Sequence, residues 1–150
     1  MKIVAVIPNI NKDVSLSLTK KIVELLSACA TVRLSDEFKA TGIDAEYVSG
    51  DDIFEAADFA VTVGGDGTIL GIAEKASEKG ISVIGVNLGK MGFMAELEPD
   101  EINLLLNVFD KEINIEKRMM LDVSIIRDGE KIFSARALND VVVSRNLEKL

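Results

Sequence analysis

The chain has 150 residues, of which 48% are hydrophobic and 28% charged, a composition typical of a soluble globular protein with one sizeable core, or one domain and part of a second. Its net charge of −8 disfavours a nonspecific nucleic-acid surface, because attraction to phosphates needs clustered lysines and arginines. The chain has no histidine, which excludes a Ser-His-Asp or Cys-His catalytic group and a histidine zinc site within it, and leaves a carboxylate as the expected base.

The hydrophobic segments are strand-sized and interrupted by charged residues, so we expect no transmembrane helix. Met1 leads directly into a strand pattern, and no secretory leader is expected. The single cysteine, Cys29, cannot form an intramolecular disulfide and is predicted to be a buried structural thiol. These features together predict a cytoplasmic protein that binds neither membranes nor nucleic acids.

The first third of the chain alternates between strand and helix patterns. Residues 2–7 form an apolar run that predicts a strand, and residues 15–28 carry apolar side chains at helical spacing, with Asp13 or the first residue of that segment as N-cap. Residues 31–34 predict a second strand. Residues 35–52 are polar without a clear period, which predicts a loop with a short helical turn.

The same alternation continues through the middle of the chain. Residues 57–63 predict a strand, residues 69–78 a helix that stops at Gly80, residues 81–86 a buried strand, and residues 99–109 another helix. Alternating strands and helices predict a parallel sheet with helices on its faces. Ligands of such sheets bind at the carboxyl ends of the strands, so the segments after the last two strands, 64–68 and 87–92, should face one crevice.

The pattern changes near residue 110. Residues 113–126 and 131–144 are predicted to be extended and are joined by residues 127–130, which contain the Asp-Gly pair of a two-residue hairpin. We therefore predict a Rossmann-like α/β nucleotide-binding domain at 1–110 and the start of an antiparallel β domain at 111–150. So few strands do not make a self-sufficient sandwich, and we expect the chain to stop inside this second domain.

Residues 64–68 have the sequence Gly-Gly-Asp-Gly-Thr, between a strand pattern and a helix pattern. Glycines allow a backbone to approach a phosphate, and free N–H groups at a helix start attract anions. Asp66 would repel a phosphate, so its presence is understandable if it takes a proton or holds a cation during phosphoryl transfer. The alternative is an ordinary strand-to-helix turn capped by Asp66 or Thr68. The segment matches neither the P-loop nor the G-x-G-x-x-G spacing of dinucleotide-binding loops.

Two further segments, combined with the first, resemble the NAD kinase family. Residues 87–93 have the form Asn-Leu-Gly-x-x-Gly-Phe one strand after the Gly-Gly-Asp-Gly-Thr loop, and residues 138–140 read Leu-Asn-Asp, similar to that family's motif at the start of its β domain. The resemblance extends over residues 3–145. The family belongs to a superfamily that also contains diacylglycerol kinases and phosphofructokinases.

The resemblance implies phosphorylation of the 2′-hydroxyl group of the adenosine ribose of NAD by ATP, which gives NADP. It implies that Asp66 is the proton acceptor, that Gly67 lies beside the dinucleotide, and that Asn139 and Asp140 contact bound NAD. Arg145 falls near a ligand-contact position of the family, although the residues around it depart from the commoner histidine-containing pattern.

The remaining site predictions concern the two loops. Gly64, Gly65 and Thr68 are predicted to form the phosphate loop, and the second loop is represented by three residues, Asn87, Gly89 and Gly92. Phe93 is predicted either to flank the adenine or to fill the core beneath the loop. Mg²⁺ or another divalent metal is expected to accompany ATP, without direct protein ligands, and inorganic polyphosphate remains open as a donor. The family also implies a homodimer or homotetramer.

Two alternatives remain open from the sequence. Related kinases with a similar loop phosphorylate other hydroxyl groups, those of lipids or sugars. The chain could also be an inactive nucleotide-binding fragment or an assembly module, because NAD kinases are substantially longer and their β domain supplies much of the NAD site and the subunit contacts.

Overall fold

The computed structural model describes residues 1–89, 92–110 and 113–144, and the chain divides into two compact units, Met1–Glu116 and Lys117–Leu150. The first unit is built on a five-stranded parallel sheet. Its strands in chain order are β1 (Lys2–Pro8), β2 (Ala30–Ser35), β3 (Glu46–Val48), β4 (Phe59–Gly64) and β5 (Ser82–Asn87). They lie in the order β3-β2-β1-β4-β5, so the sheet confirms the predicted Rossmann-like α/β class.

The helices pack in two layers against this sheet. They are α1 (Ser17–Ser27), α2 (Asp66–Lys79) and α3 (Asn107–Asp110), with three 3₁₀ segments at Asp36–Thr41, Gly50–Phe54 and Ile102–Leu106. One apolar cluster joins α1, α3 and the 3₁₀ segments Asp36–Thr41 and Ile102–Leu106 to one face of the sheet. A second cluster joins α2 and the 3₁₀ segment Gly50–Phe54 to the other face. Every residue of β4 is buried, as expected of a central parallel strand covered on both faces. Within the described ranges, no helix combines the length and the apolar character needed to cross a membrane.

Three predictions of local structure were wrong. The polar segment 35–52 contains β3, which the pattern missed because three residues are too few for a period to be recognised. The single helix predicted at 99–109 is a 3₁₀ segment followed by the short α3, since a run this short does not distinguish a period of 3.0 from one of 3.6. Residues 113–120 and 138–144, predicted as parts of two extended segments, are not in strands.

The second unit contains an antiparallel hairpin of β6 (Leu121–Arg127) and β7 (Glu130–Ala137). The predicted Asp-Gly turn is confirmed: Asp128 and Gly129 have φ angles of 53° and 84°, the two positive values of a type I′ turn. Across the hairpin Arg136 Nε lies 2.9 Å from a carboxylate oxygen of Asp122, which faces it in the register. The predicted change to antiparallel β structure is therefore present within this unit.

Candidate functional site

The candidate site lies where three neighbouring strands of the first unit end. Because β1, β4 and β5 are parallel and adjacent, the segments that follow them leave the same edge of the sheet. Backbone hydrogen bonds tie these segments together at that edge: Asn9 N–H donates to Val63 O at 2.8 Å, and Leu88 N–H donates to Gly64 O. The loops after β4 and β5 therefore face one crevice, as predicted from the sequence.

The turn from β4 into α2 is tightly packed around the Thr68 hydroxyl. Thr68 Oγ1 accepts hydrogen bonds from Asn9 Nδ2 at 3.2 Å and from Gly65 N–H at 3.4 Å, and Thr68 N–H donates to Gly65 O at 2.8 Å. A Cβ atom on Gly64 would overlap Thr68 Oγ1 and lie 3.0 Å from Asn9 Cβ. Thr68 thus has the capping role considered from the sequence, and Gly64 is needed for close approach.

The Asp66 carboxylate joins the two predicted loops. Its Oδ2 accepts a hydrogen bond from Phe93 N–H at 2.9 Å, and its Oδ1 accepts from Met94 N–H at 3.2 Å and Ala95 N–H at 3.4 Å. The bond from Phe93 is the main reason that the pKa of Asp66 is lowered; the other two bonds and the positive charge of Lys12 act in the same direction, against a smaller pKa-raising effect of desolvation. Asp66 is therefore ionised at neutral pH.

This arrangement limits and defines what Asp66 can do chemically. A carboxylate offers about four acceptor positions, so three backbone donors leave it able to accept one more hydrogen bond from a ligand hydroxyl. Its lowered pKa makes it a weak base, which suits a proton transfer that occurs late in a loose phosphoryl-transfer transition state. Beside it Gly67 is exposed, and a Cβ atom there would have no neighbour within 4 Å, so a ligand has space to approach.

The second loop is held by the side chain of Asn87, which is 4% exposed. Asn87 Oδ1 accepts a hydrogen bond from Gly89 N–H at 2.8 Å, and Asn87 Nδ2 donates to Glu98 Oε1 at 3.1 Å. A Cβ atom on Gly92 would lie 3.1 Å from Asp66 Oδ1. Asn87 therefore fixes both ends of the loop, and Gly92 lets the loop backbone approach the carboxylate.

Phe93 is 87% exposed, so the alternative that its ring fills the core beneath the loop was wrong. Its backbone is fixed by the bond to Asp66, while its ring remains accessible to a ligand. The predicted contact with an adenine ring stays a prediction.

Two residues of the site, Asn9 and Lys12, were missed by sequence reasoning. Asn9 O accepts hydrogen bonds from the backbone N–H groups of Lys12 at 3.0 Å and Asp13 at 2.9 Å, which shapes the loop after β1. This loop brings Lys12 Nζ against the glycine turns: a Cβ atom on Gly65 would overlap it, and one on Gly89 would lie 3.2 Å away. The signal was the Pro8-Asn9 end of a strand whose carboxyl end shares this edge.

The other predicted site residues lie in the second unit or outside the residues that the structure describes. Asn139 and Asp140 are exposed and follow β7. Arg145 lies outside the described residues. In the ranges that the structure describes, no three side chains of the metal-binding types are grouped so that they could hold an ion.

Comparison with known proteins gives consistent matches. The family model for the ATP-NAD kinase N-terminal domain matches residues 4–113. The NAD kinase of Thermoanaerobacter sp. (strain X514) is 38% identical over 148 residues, covering 97% of this chain and 52% of the relative. That of Caldanaerobacter subterraneus subsp. tengcongensis is 37% identical with the same coverage, and that of Cupriavidus pinatubonensis is 40% identical over 109 residues, 71% of this chain and 36% of the relative. The chain spans about half the length of the first two of these relatives.

Proposed function

The chain belongs to the NAD kinase family, and we propose that it carries the catalytic loop of an enzyme that phosphorylates NAD with ATP to give NADP. The observation that carries the proposal is the Asp66 carboxylate, held by the backbone of residues 93–95 in a crevice between two glycine loops. Curated relatives with the name NAD kinase, about 38% identical over almost the whole chain, support it.

The proposed reaction transfers one phosphoryl group. The 2′-oxygen of the adenosine ribose forms a bond to the γ-phosphorus of ATP, and the bond from that phosphorus to the bridging oxygen breaks. The electron pair stays on the departing ADP, and the hydroxyl proton moves to Asp66. Because the three backbone donors orient this carboxylate before substrate arrives, the enzyme does not have to order it during the reaction.

The proposed dinucleotide contacts are those that the family resemblance implies. The backbone of Gly67, which has open space beside it, is proposed to lie next to the ribose. The exposed ring of Phe93 is proposed to stack on the adenine. Asn139, Asp140 and Arg145 are proposed to contact NAD, as in the resemblance described above. The loop residues that remain are proposed to shape the crevice around the phosphates: Gly64, Gly65, Thr68, Asn87, Gly89 and Gly92.

We further propose that Mg²⁺ arrives with ATP as part of the substrate. Mg²⁺ keeps several waters and binds phosphate oxygens readily, and Asp66, the carboxylate at the crevice, already accepts three hydrogen bonds, so these residues do not make a resident metal site. The protein is proposed to be a cytoplasmic homodimer or homotetramer. We also propose a functional division into a nucleotide-binding domain at 1–110 and a β domain from 111.

The test is an enzyme-coupled assay for NADP with NAD, ATP and Mg²⁺. It is run on this chain and on the chain joined to the C-terminal half of the Thermoanaerobacter relative, which supplies the length that the match leaves uncovered. NADP formation by either form supports the proposal. Phosphorylation of diacylglycerol, sphingosine or fructose 6-phosphate with no NADP would contradict it in favour of another acceptor, and no product from any acceptor would favour a non-catalytic module.

A further inference from the structure

A pocket of about 470 Å³ lies beside the glycine crevice of the first unit. Its lining includes two lysines and two serines from the loop after β1 and from α1, together with two apolar residues that follow β5: Lys12, Ser15, Ser17, Lys21, Leu88 and Pro99. The volume is in the range of small-molecule sites. None of the site residues predicted from the sequence lines this pocket.

The pocket has an available positive charge. Within the described part of the chain, neither Lys12 nor Lys21 forms an ion pair, whereas Lys75 and Lys79 on α2 are paired with acidic side chains. The pocket also contains Asp13, but this carboxylate is 5% exposed and accepts hydrogen bonds from the start of α1, so it is not directed at a ligand. In a chain of net charge −8, two unpaired lysines beside one pocket favour an anionic ligand.

Lys12 connects this pocket to the crevice that contains Asp66. Its ammonium lies against Gly65, the residue before Asp66, and 3.2 Å from the position of a Cβ atom on Gly89. The positive charge of Lys12 also contributes to the lowered pKa of Asp66. A phosphate chain in the pocket would therefore meet a cation at its end nearest Asp66, which would offset its charge where it enters the crevice.

We propose that this pocket binds the phosphate chain of the phosphoryl donor, with Lys12 on the phosphoryl group that is transferred and Lys21 on the phosphates farther from Asp66. The inference rests on the proposed kinase function. Lysine binds phosphate as a mobile point charge, and Lys12 at the crevice would also offset charge on the transferred group.

The first experiment measures binding of inorganic tripolyphosphate to the 150-residue chain by calorimetry at low salt. K12Q and K21Q should each weaken binding by about tenfold or more, since hydrogen bonds to charged groups contribute strongly. K12R and K21R should bind within a few-fold of the unchanged chain. The matched control is K20Q, which removes a neighbouring exposed lysine of α1 that does not line the pocket. Equal binding by K20Q, K12Q and K21Q would overturn the proposal.

The second experiment measures NADP formation in whichever form is active. K12Q and K21Q should raise the KM for ATP about tenfold and leave the KM for NAD unchanged; a rise confined to the KM for NAD would overturn the donor assignment. The proposed kinase function and the proposed phosphate site can fail independently of each other. If no variant forms NADP but tripolyphosphate binding still depends on both lysines, the phosphate site is supported and the kinase function is not.

Discussion

The substitution Gly85→Ala tests whether β5 fixes the position of residues 93–95, which donate hydrogen bonds to Asp66. A Cβ atom on Gly85 would lie 2.8 Å from Ala95 Cα, 2.8 Å from Ile69 Cδ1 and 3.0 Å from Ala95 Cβ. The backbone at Ala95 cannot retreat without cost, because Glu96 N–H and Leu97 N–H both donate to Gly85 O, at 3.1 and 3.0 Å. Overpacking of this kind costs about 1–3 kcal/mol, and the reduced freedom of the unfolded chain offsets about 0.4–1 kcal/mol.

We therefore expect Gly85→Ala to destabilise the first unit by about 1–2 kcal/mol, a fall of roughly 4–8 °C in Tm for a unit of this size. Gly71→Ala is the matched control, because Gly71 lies in α2 with nothing within 4 Å of a Cβ atom. Gly71→Ala should raise stability by about 0.5–1 kcal/mol, since alanine favours a helix interior. The chain has one tyrosine and no tryptophan, and Tyr47 lies in β3, so tyrosine fluorescence follows unfolding of the first unit.

Gly85→Ala should also change the pKa of Asp66. When Ala95 shifts, its N–H and that of Met94 move relative to Asp66, and the pKa of Asp66 should rise towards its ordinary value in Gly85→Ala but not in Gly71→Ala. The readout is a carbon-13 NMR titration of the carboxyl group. Equal stabilities and an unchanged Asp66 pKa in the two variants would refute the packing argument.

Three more predictions concern the first unit. Asp13→Ala should destabilise it by about 2 kcal/mol and Thr19→Val by about 1 kcal/mol in urea unfolding, because Asp13 accepts from two backbone N–H groups of α1 and from the Thr19 hydroxyl at 2.7 Å. Gly80→Ala should cost about 1 kcal/mol, since Gly80 ends α2 with φ of 66°; a gain in Tm would contradict this. The lowered pKa of Asp66 gives stability that is present above the unfolded-state pKa and is lost as pH falls through the folded-state pKa, so Asp66→Asn should reduce the acid dependence of Tm.

The sheet was predictable because its signals are local. The strands β1, β4 and β5 are largely apolar runs of six or seven residues, and each is followed by a helical period or a glycine, so the alternation and the crossover class could be inferred. The hairpin was equally accessible, since Asp128-Gly129 is the dipeptide that a type I′ turn requires. The strand β3 was not, because its three residues pair only at the sheet edge with β2.

The candidate site was predictable in its side chains but not in its hydrogen bonds. The spacing of Asp66 and residues 87–93 indicated one crevice, whereas the donors to Asp66 are backbone N–H groups, which every residue except proline has. Their position depends on the register that pairs Gly64 with Asn87. Lys12 was missed for a related reason, because a long side chain on a loop reaches a site that its sequence neighbours do not indicate.

In the proposed reaction Asp66 orients the acceptor hydroxyl and takes its proton. The most direct measurement is the single-turnover rate of NADP formation by Asp66→Asn, in whichever form of the chain is active. Asp58→Asn is the matched control: Asp58 also accepts a backbone hydrogen bond, from Ile3 N–H at 2.7 Å, but it precedes β4 whereas Asp66 follows it.

We expect Asp66→Asn to lower the rate by about 10²- to 10⁴-fold, the usual contribution of a positioned acid or base, and Asp58→Asn to leave it unchanged. A near-normal rate in Asp66→Asn would contradict the proposed role of Asp66.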